Sequence, residues 1–304
     1  MGFFSLPVVT ALFLLFGGLA IFAISSLESD DLYTRMIELL TKDQESTISK
    51  TLEEPLLFGV FTFVNDSESM SVMRQQYSNN DPNHYVIHSI RSLPGQLWLY
   101  DTLPTHRKMI IVQSLDNITY AMKIGQRYDL DVIAYDIEQW ERTPELERVD
   151  PSLSISKGAA IVHQAGYRYG ITPDAVTLMD NYKKINWTEI DFLDMQLQRF
   201  SQNVTEYSNI AKEISTFVRS KNANIEIFTQ LSFRFTDAND MIKVIESVRD
   251  IVNGFIIFYD TSSHLCISTC SPYELNLVLE RINALKQHTN NYTISYLPNS
   301  AGLN

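Results

Sequence analysis

Asp131-Val-Ile-Ala-Tyr-Asp136-Ile-Glu138-Gln-Trp140 is a short apolar run that ends in two carboxylates. Strand side chains alternate between faces, so Val132, Ala134, Asp136 and Glu138 share one side and Ile133, Tyr135 and Ile137 the other. Packing does not ask for two acids together at the end of a buried strand. Burying them costs free energy unless they are solvated, paired or used. Two readings are open: the acids cap the next helix or bond an arginine, or they form an acid/base pair where the strand opens into a cleft.

Outward from this stretch, other short runs rich in β-branched and aromatic residues occupy 57–64, 97–100, 109–112, 168–172, 192–197, 225–231 and 254–259. Helical patterns separate most of them, at 120–128, 154–165, 175–185, 204–221, 238–252 and 272–285. In the fourth of these, Ile210, Ile214, Phe217 and Val218 form the stripe of a helix packed on a sheet. Alternating strands and helices imply parallel strands, and eight such units in about 250 residues predict a closed (β/α)8 barrel over 55–304. The N-terminal third fits less cleanly, with no helix pattern between 65 and 96 and an extra or alternative strand at 84–90. An open doubly wound sheet is the alternative architecture.

In a (β/α)8 barrel, chemistry collects at the C-terminal ends of the strands. Polar residues gather there: Gln113 after the third strand, Asp136 and Glu138 on the fourth, Asp174 after the fifth. Gln196 and Gln198 follow on the sixth beside Asp194, Gln230 on the seventh, and Tyr259 and Asp260 on the eighth. Amides with nearby Tyr and Trp suit sugar hydroxyls, offering both donors and acceptors. Trp140 either stacks on a sugar ring or staples its loop. The competing reading is a polar core layer whose members bond to one another. The expected catalytic pair is Glu138 and Asp136, with the other C-terminal residues except Asp194 binding substrate.

The 304-residue chain carries a net charge of −12 and no basic run, which excludes nucleic acid as an expected partner. From 3 to 24 there is no charged residue, and roughly 22 apolar residues suffice to cross a bilayer. A single-pass anchor over 1–27 and a polar stalk over 28–54 are therefore expected, so the membrane is a partner through this helix. A cleaved signal peptide, with secretion, is the alternative. Five Asn-x-Ser/Thr triplets, at Asn65, Asn117, Asn186, Asn203 and Asn291, place the body on the extracytoplasmic side as a glycoprotein. Cys266 and Cys270 are close enough in sequence to close a small disulfide there, and His264 beside them offers a weaker metal alternative. The remaining histidines are scattered, and no metal or other cofactor is expected.

The sequence Asp131-x-x-Ala134-x-Asp136-x-Glu138 resembles the Asp-x-x-Asp-x-Asp-x-Glu signature of family-18 glycoside hydrolases, with Ala134 replacing the inner Asp. The resemblance implies Glu138 as general acid and Asp136 as the group that orients the substrate. On the sixth strand Gln196 matches the family's Gln-x-Tyr and Gln198 stands at the Tyr. On the eighth, Phe258 replaces the floor Trp. The third-strand Ser-x-Gly-Gly element is absent, with Val112-Gln-Ser-Leu115 in its place. The chain is also similar to uncharacterised exported barrel proteins that carry Tyr-Asp-Ile-Glu-x-Trp, Thr-Pro and Asp-Pro (here Thr143-Pro144 and Asp150-Pro151) and Gln-x-Gln. These resemblances imply a membrane-anchored glycoside hydrolase-like protein acting on a polysaccharide or glycoconjugate. The alternative is an inactive glycan-binding or envelope-scaffold protein on the same barrel. A second carboxylate, Asp174 or Asp260, acting as nucleophile or base leaves retaining and inverting chemistry both open.

Overall fold

The structure is a computed structural model that describes residues 53–62, 66–78, 81–90, 97–260 and 270–288. The expected anchor, almost all of the stalk, Asn65, Asn291, His264 and Cys266 lie outside the described residues. Among those described, no helix is long and apolar enough to cross a membrane.

Eight parallel strands close into a barrel: β2 (Leu57–Thr62), β3 (Tyr85–Ser89), β4 (Arg107–Val112), β5 (Val132–Tyr135), β6 (Arg168–Ile171), β7 (Phe192–Met195), β8 (Glu226–Ser232) and β9 (Gly254–Tyr259). The ring closes where β9 pairs with β2, from Leu57↔Gly254 to Thr62↔Tyr259. A Cβ at Gly254 would lie 2.4 Å from the Leu57 carbonyl oxygen, so this seam needs glycine. A separate antiparallel pair joins β1 (Glu53–Pro55) to β10 (Lys286–His288). β1 thus begins two residues inside the stretch expected to be stalk.

The helices are α1 (Ser67–Ser78), α2 (Trp98–Thr102), α3 (Leu115–Tyr128), α4 (Glu145–Val149), α5 (Pro151–Gln164), α6 (Ala175–Asn181), α7 (Val204–Lys221), α8 (Ala238–Val248) and α9 (Pro272–Ala284). Their starts are written in capping residues. Asp150, Asp174, Asn203 and Asp237 each accept a backbone N–H of the first helical turn. Ser271 and Glu274 form a reciprocal capping box with Pro272 at the first helical position. In α7 the buried residues Tyr207, Ala211, Ile214, Ser215 and Val218 follow the helical period.

Two segments correct the sequence reading. Residues 97–100 are not the second strand; they enter helix α2, and the second strand is β3, the alternative at 84–90. An apolar run of four residues fits either state, because its period cannot be seen. Helix α1 lies where no helical pattern was apparent. Its buried face includes Ser69 and Gln76 beside Met73 and Tyr77, and the polar pair is satisfied by Tyr259 and Asn276.

Alternation sorts the strand residues into two cores. Ile133, Tyr135 and Ile137 join the large cluster between strands and helices. Val132 and Ala134 join a smaller interior cluster with Ile87, Ile111, Phe192, Phe228 and Ile256. Below that interior, at the N-terminal end, Arg107 bonds Asp131 (2.6 Å) and Glu226 (2.8 Å), and Arg168 reaches the same two carboxylates at 3.1 and 3.3 Å. The Tyr85 hydroxyl donates to Glu226 at 2.6 Å, and the Arg107 guanidinium lies 4.2 Å over the Tyr85 ring. Burial pushes the Glu226 carboxyl up, but the Arg107 hydrogen bond and the Arg168 charge outweigh it and hold its pKa below the usual value. Asp131, the first residue of the decisive stretch, therefore belongs to an ionic plug at the opposite end from Glu138.

Candidate active site

A cavity of about 830 Å³ opens at the C-terminal end of the strands, a size suited to a small ligand. The strand ladder continues past β5, with the Asp136 N–H donating to the Val112 carbonyl at 2.7 Å. Asp136 and Glu138 thus stay on the interior face and both line the cavity, one buried and the other half-buried. One oxygen of Asp136 accepts from Thr172 Oγ1 at 3.2 Å and from Gln196 Nε2 at 2.8 Å. Burial and then the Glu138 charge hold the Asp136 carboxyl well above the usual range. Glu138 is also raised, chiefly by burial with the Asp174 charge adding, against hydrogen bonds from Gln196 and Asp136 that favour its charged form. Two raised acids in contact titrate as one unit, which retains a proton that two isolated carboxyls would release.

Of the ten residues expected at the site, nine line this cavity: Gln113, Asp136, Glu138, Trp140, Asp174, Gln196, Gln198, Gln230 and Asp260. The exception is Tyr259. It faces outward into the helix-packed core, where its hydroxyl meets Ser69 Oγ at 3.1 Å and donates to the Cys270 carbonyl at 2.9 Å. Strand parity is the reason, since Phe258 and Asp260 on either side of it face the cavity. Cys270 is disulfide-bonded; Cys266 lies outside the described residues.

Lining the cavity is not the same as being open to a ligand. Asp174 caps α6 through the Thr177 N–H at 2.8 Å, and its other oxygen accepts from the Gln139 N–H at 3.0 Å. Gln196 is committed as well, donating to Asp136 and to the Thr172 carbonyl (2.6 Å) while accepting from Gln198 Nε2 at 3.3 Å. Gln113 donates to Ser89, and Asp260 faces Arg234 at 3.6 Å. The Trp140 indole donates to Thr143 Oγ1 at 3.1 Å, and Arg142 lies 4.8 Å over its ring. That is the loop staple rather than a bare stacking platform. Asp194 and Gln198 each keep a buried side-chain oxygen that no protein donor fills among the described residues.

Sequence reasoning did not place Asp194, Arg142, Arg199 and Arg234 in the site, yet all four line the cavity. Asp194 was detectable, because it shares its strand face with Gln196 and Gln198. The arginines follow the strand ends, where the alternating pattern has stopped. Phe258, read from the resemblance as a substitute for the floor Trp, lines the cavity with Phe61 edge-on at 5.4 Å. Among the described residues, no cluster of His, Cys, Asp and Glu could hold a metal ion.

No family model matches the chain, and no curated protein is similar to it in sequence. Solved structures give likenesses of overall shape. A GH18 chitinase from Flavobacterium johnsoniae is 9% identical over 76% of this chain and 94% of its own, with a TM-score of 0.47. The tryptophan synthase α-subunit of Pyrococcus furiosus is 10% identical over 77% and 99%, at 0.48. The HMG-CoA lyase of Brucella melitensis is 8% identical over 76% and 96%, also at 0.48. These are a hydrolase, a synthase and a lyase at similar distance. The closed ring of eight parallel strands with outer helices defines the (β/α)8 barrel class, and neighbours this remote say nothing about chemistry.

Proposed function

We propose that this chain is a membrane-anchored, extracytoplasmic glycoside hydrolase that acts on a polysaccharide or glycoconjugate, with Glu138 as general acid and Asp136 as its partner. The observation that carries the proposal is the contacting pair of raised carboxyls in a cavity of ligand size, with Glu138 reachable from solvent. Glu138 gives its proton to the glycosidic oxygen as the bond to the anomeric carbon breaks. Asp136, held by Thr172 and Gln196, supplies the neighbouring proton and orients the group that stabilises the anomeric carbon. Asp174 and Asp260 are committed to a helix cap and to Arg234, which argues against either as nucleophile or base. Exposed sequons at Asn186 and Asn203 are consistent with an extracytoplasmic body.

The test is turnover by the full chain on a panel of glycans, wild type against Glu138→Gln. A fall of about 10²–10⁴-fold with unchanged melting temperature is expected; undiminished turnover removes Glu138 as the acid. A second reading, a glycan-binding scaffold without turnover, draws on three departures from the family pattern: Ala134, Gln198 and Phe258. Ala134 lies fully buried beside Gly170 in the strand register, so no acid stands beneath Asp136 on β5. Glycan binding with no turnover by wild type would favour that reading.

A further inference from the structure

Asp194 is 1% exposed and Gln230 6%, and both line the cavity from neighbouring strands, β7 and β8. The register pairs Asp194 with Phe228, two residues before Gln230, so both side chains point to the interior. Asp194 Oδ1 is buried without any hydrogen-bond partner among the described residues, and the Gln230 side chain lines the same cavity. Native interiors rarely leave such groups unmatched, and where they do, a bound molecule is a standard explanation.

We infer that Asp194 and Gln230 form a deep subsite for an uncharged hydroxyl-bearing group of a sugar, and that this subsite excludes carboxylate-bearing sugars. The inference rests on the reading that this cavity holds a glycan. Its chemistry follows from what surrounds Asp194. Burial alone holds its carboxyl well above the usual range, with no neighbouring cation acting on it. Burial thus favours its neutral form, a carboxylic acid able to donate one hydrogen bond and accept another. Gln230 adds a donor pair and an acceptor. A hydroxyl, itself donor and acceptor, satisfies both groups.

A sugar carboxylate entering the same place would be desolvated without a counterion. The cavity's cations are held elsewhere. Arg142 and Arg199 are exposed, and Arg234 is paired with Asp260. A cavity with three arginines in its wall thus presents a floor without one. Charge selection and hydroxyl recognition are assigned to different depths of the same site.

The experiment uses the full chain carrying Glu138→Gln, so that ligands bind without turnover. Titration calorimetry is run with neutral galacto-oligosaccharides and gluco-oligosaccharides and with their uronate counterparts, which differ at the sixth carbon. A neutral member is expected to bind at least tenfold more tightly than its uronate. Adding Asp194→Asn, which keeps donor and acceptor capacity, should change that affinity less than about threefold, whereas Asp194→Leu or Gln230→Leu should weaken it tenfold or more. Should the leucine variants fail to fold, the neutral-to-uronate ratio alone decides. Equal or tighter uronate binding overturns the subsite, as does neutral binding that ignores both leucine variants, and each leaves the proposed function standing. Absence of binding by every sugar overturns the subsite and the glycan reading together.

Discussion

The two ends of this barrel handle buried charge in opposite ways. At the N-terminal end Arg107 and Arg168 face Asp131 and Glu226 in a closed square of contacts between 2.6 and 3.3 Å, and Tyr85 fills the remaining acceptor space. Each charge there has an opposite neighbour, and Glu226 is held below its usual pKa. At the C-terminal end Asp136, Glu138 and Asp194 are buried or half-buried without an ion pair among the described residues, and all three are raised. The same cost of desolvation is offset by pairing at one end and left in place at the other. An end that stores unoffset electrostatic cost is suited to moving protons and holding ligands; the paired end is suited to fixing the strands.

The contrast breaks first at the acid pair. Asp136→Asn removes one carboxyl of the two that hold a proton together. Glu138 keeps the upward shift that burial and Asp174 give it, but the proton shared by the pair is gone, and turnover falls by about 10²-fold or more. The wild-type profile should be bell-shaped, failing in alkali as the pair loses its proton and in acid as both carboxyls are protonated. In Asp136→Asn the alkaline limb should move to lower pH. A pH–rate profile of both proteins checks this, and an unshifted limb would mean that the two acids do not communicate.

At the opposite end, Glu226→Gln leaves Arg107 and Arg168 with one carboxylate between them. Breaking a buried ion pair costs about 3–5 kcal/mol, and partial solvent access puts this case near about 3, or about 6–12 °C in melting temperature for a domain of this size. Turnover per folded molecule should not change. The pH sign is fixed by the depressed pKa. The stabilisation from Glu226 is present above its unfolded-state value and lost as pH falls through the lower folded-state value. Acid denaturation should therefore converge for wild type and Glu226→Gln. A variant equally stable at neutral pH would show that the plug contributes nothing to the fold.

The difference between the ends was partly readable in the sequence. Alternation through 132–138 placed both acids on the interior, and the capping residues Asp150, Asp174, Asn203 and Asp237 marked helix starts. Asp131 lies seven positions before Glu138 in the same stretch, yet it belongs to the plug, because a strand carries its residues from one end of the barrel to the other. Its partners Arg107, Arg168 and Glu226 come from three other strands, and no local pattern announces a cluster assembled across the ring. Tyr259 is excluded by parity: Phe258 and Asp260 share one face of β9, which leaves Tyr259 on the other. The second strand is not legible at 97–100, because Leu97-Trp98-Leu99-Tyr100 is too short to show a period.

Asp194→Asn sharpens the contrast through stability. The Asp194 carboxyl is raised on folding, so its contribution is fully present below the unfolded-state pKa and lost as pH rises toward the folded-state value. Asparagine has no such loss, although its amide adds a donor where Asp194 Oδ1 already lacks a partner among the described residues. The net expectation is a stabilisation of about 1 kcal/mol at neutral pH. The gap should be larger at pH 8 than at pH 5 in chemical denaturation, with the variant the more stable protein where Glu226→Gln is the less stable one. A gap that shrank with rising pH would mean Asp194 is charged in the fold.

The smallest effect tests the division between interior and exterior within β9. Tyr259→Phe deletes a hydroxyl that contacts Ser69 on α1 and donates to the Cys270 carbonyl. The loss should be about 1 kcal/mol, more if the Cys270 carbonyl finds no substitute donor. Sugar affinity should be unchanged, because the ring lies outside the barrel wall. Phe258→Ala, one residue earlier, should do the reverse and weaken sugar binding severalfold, since that ring lines the cavity. Denaturation and calorimetry on the two variants separate the faces. If Tyr259→Phe altered affinity while Phe258→Ala did not, the parity that places Asp260 in the cavity would be wrong at this strand.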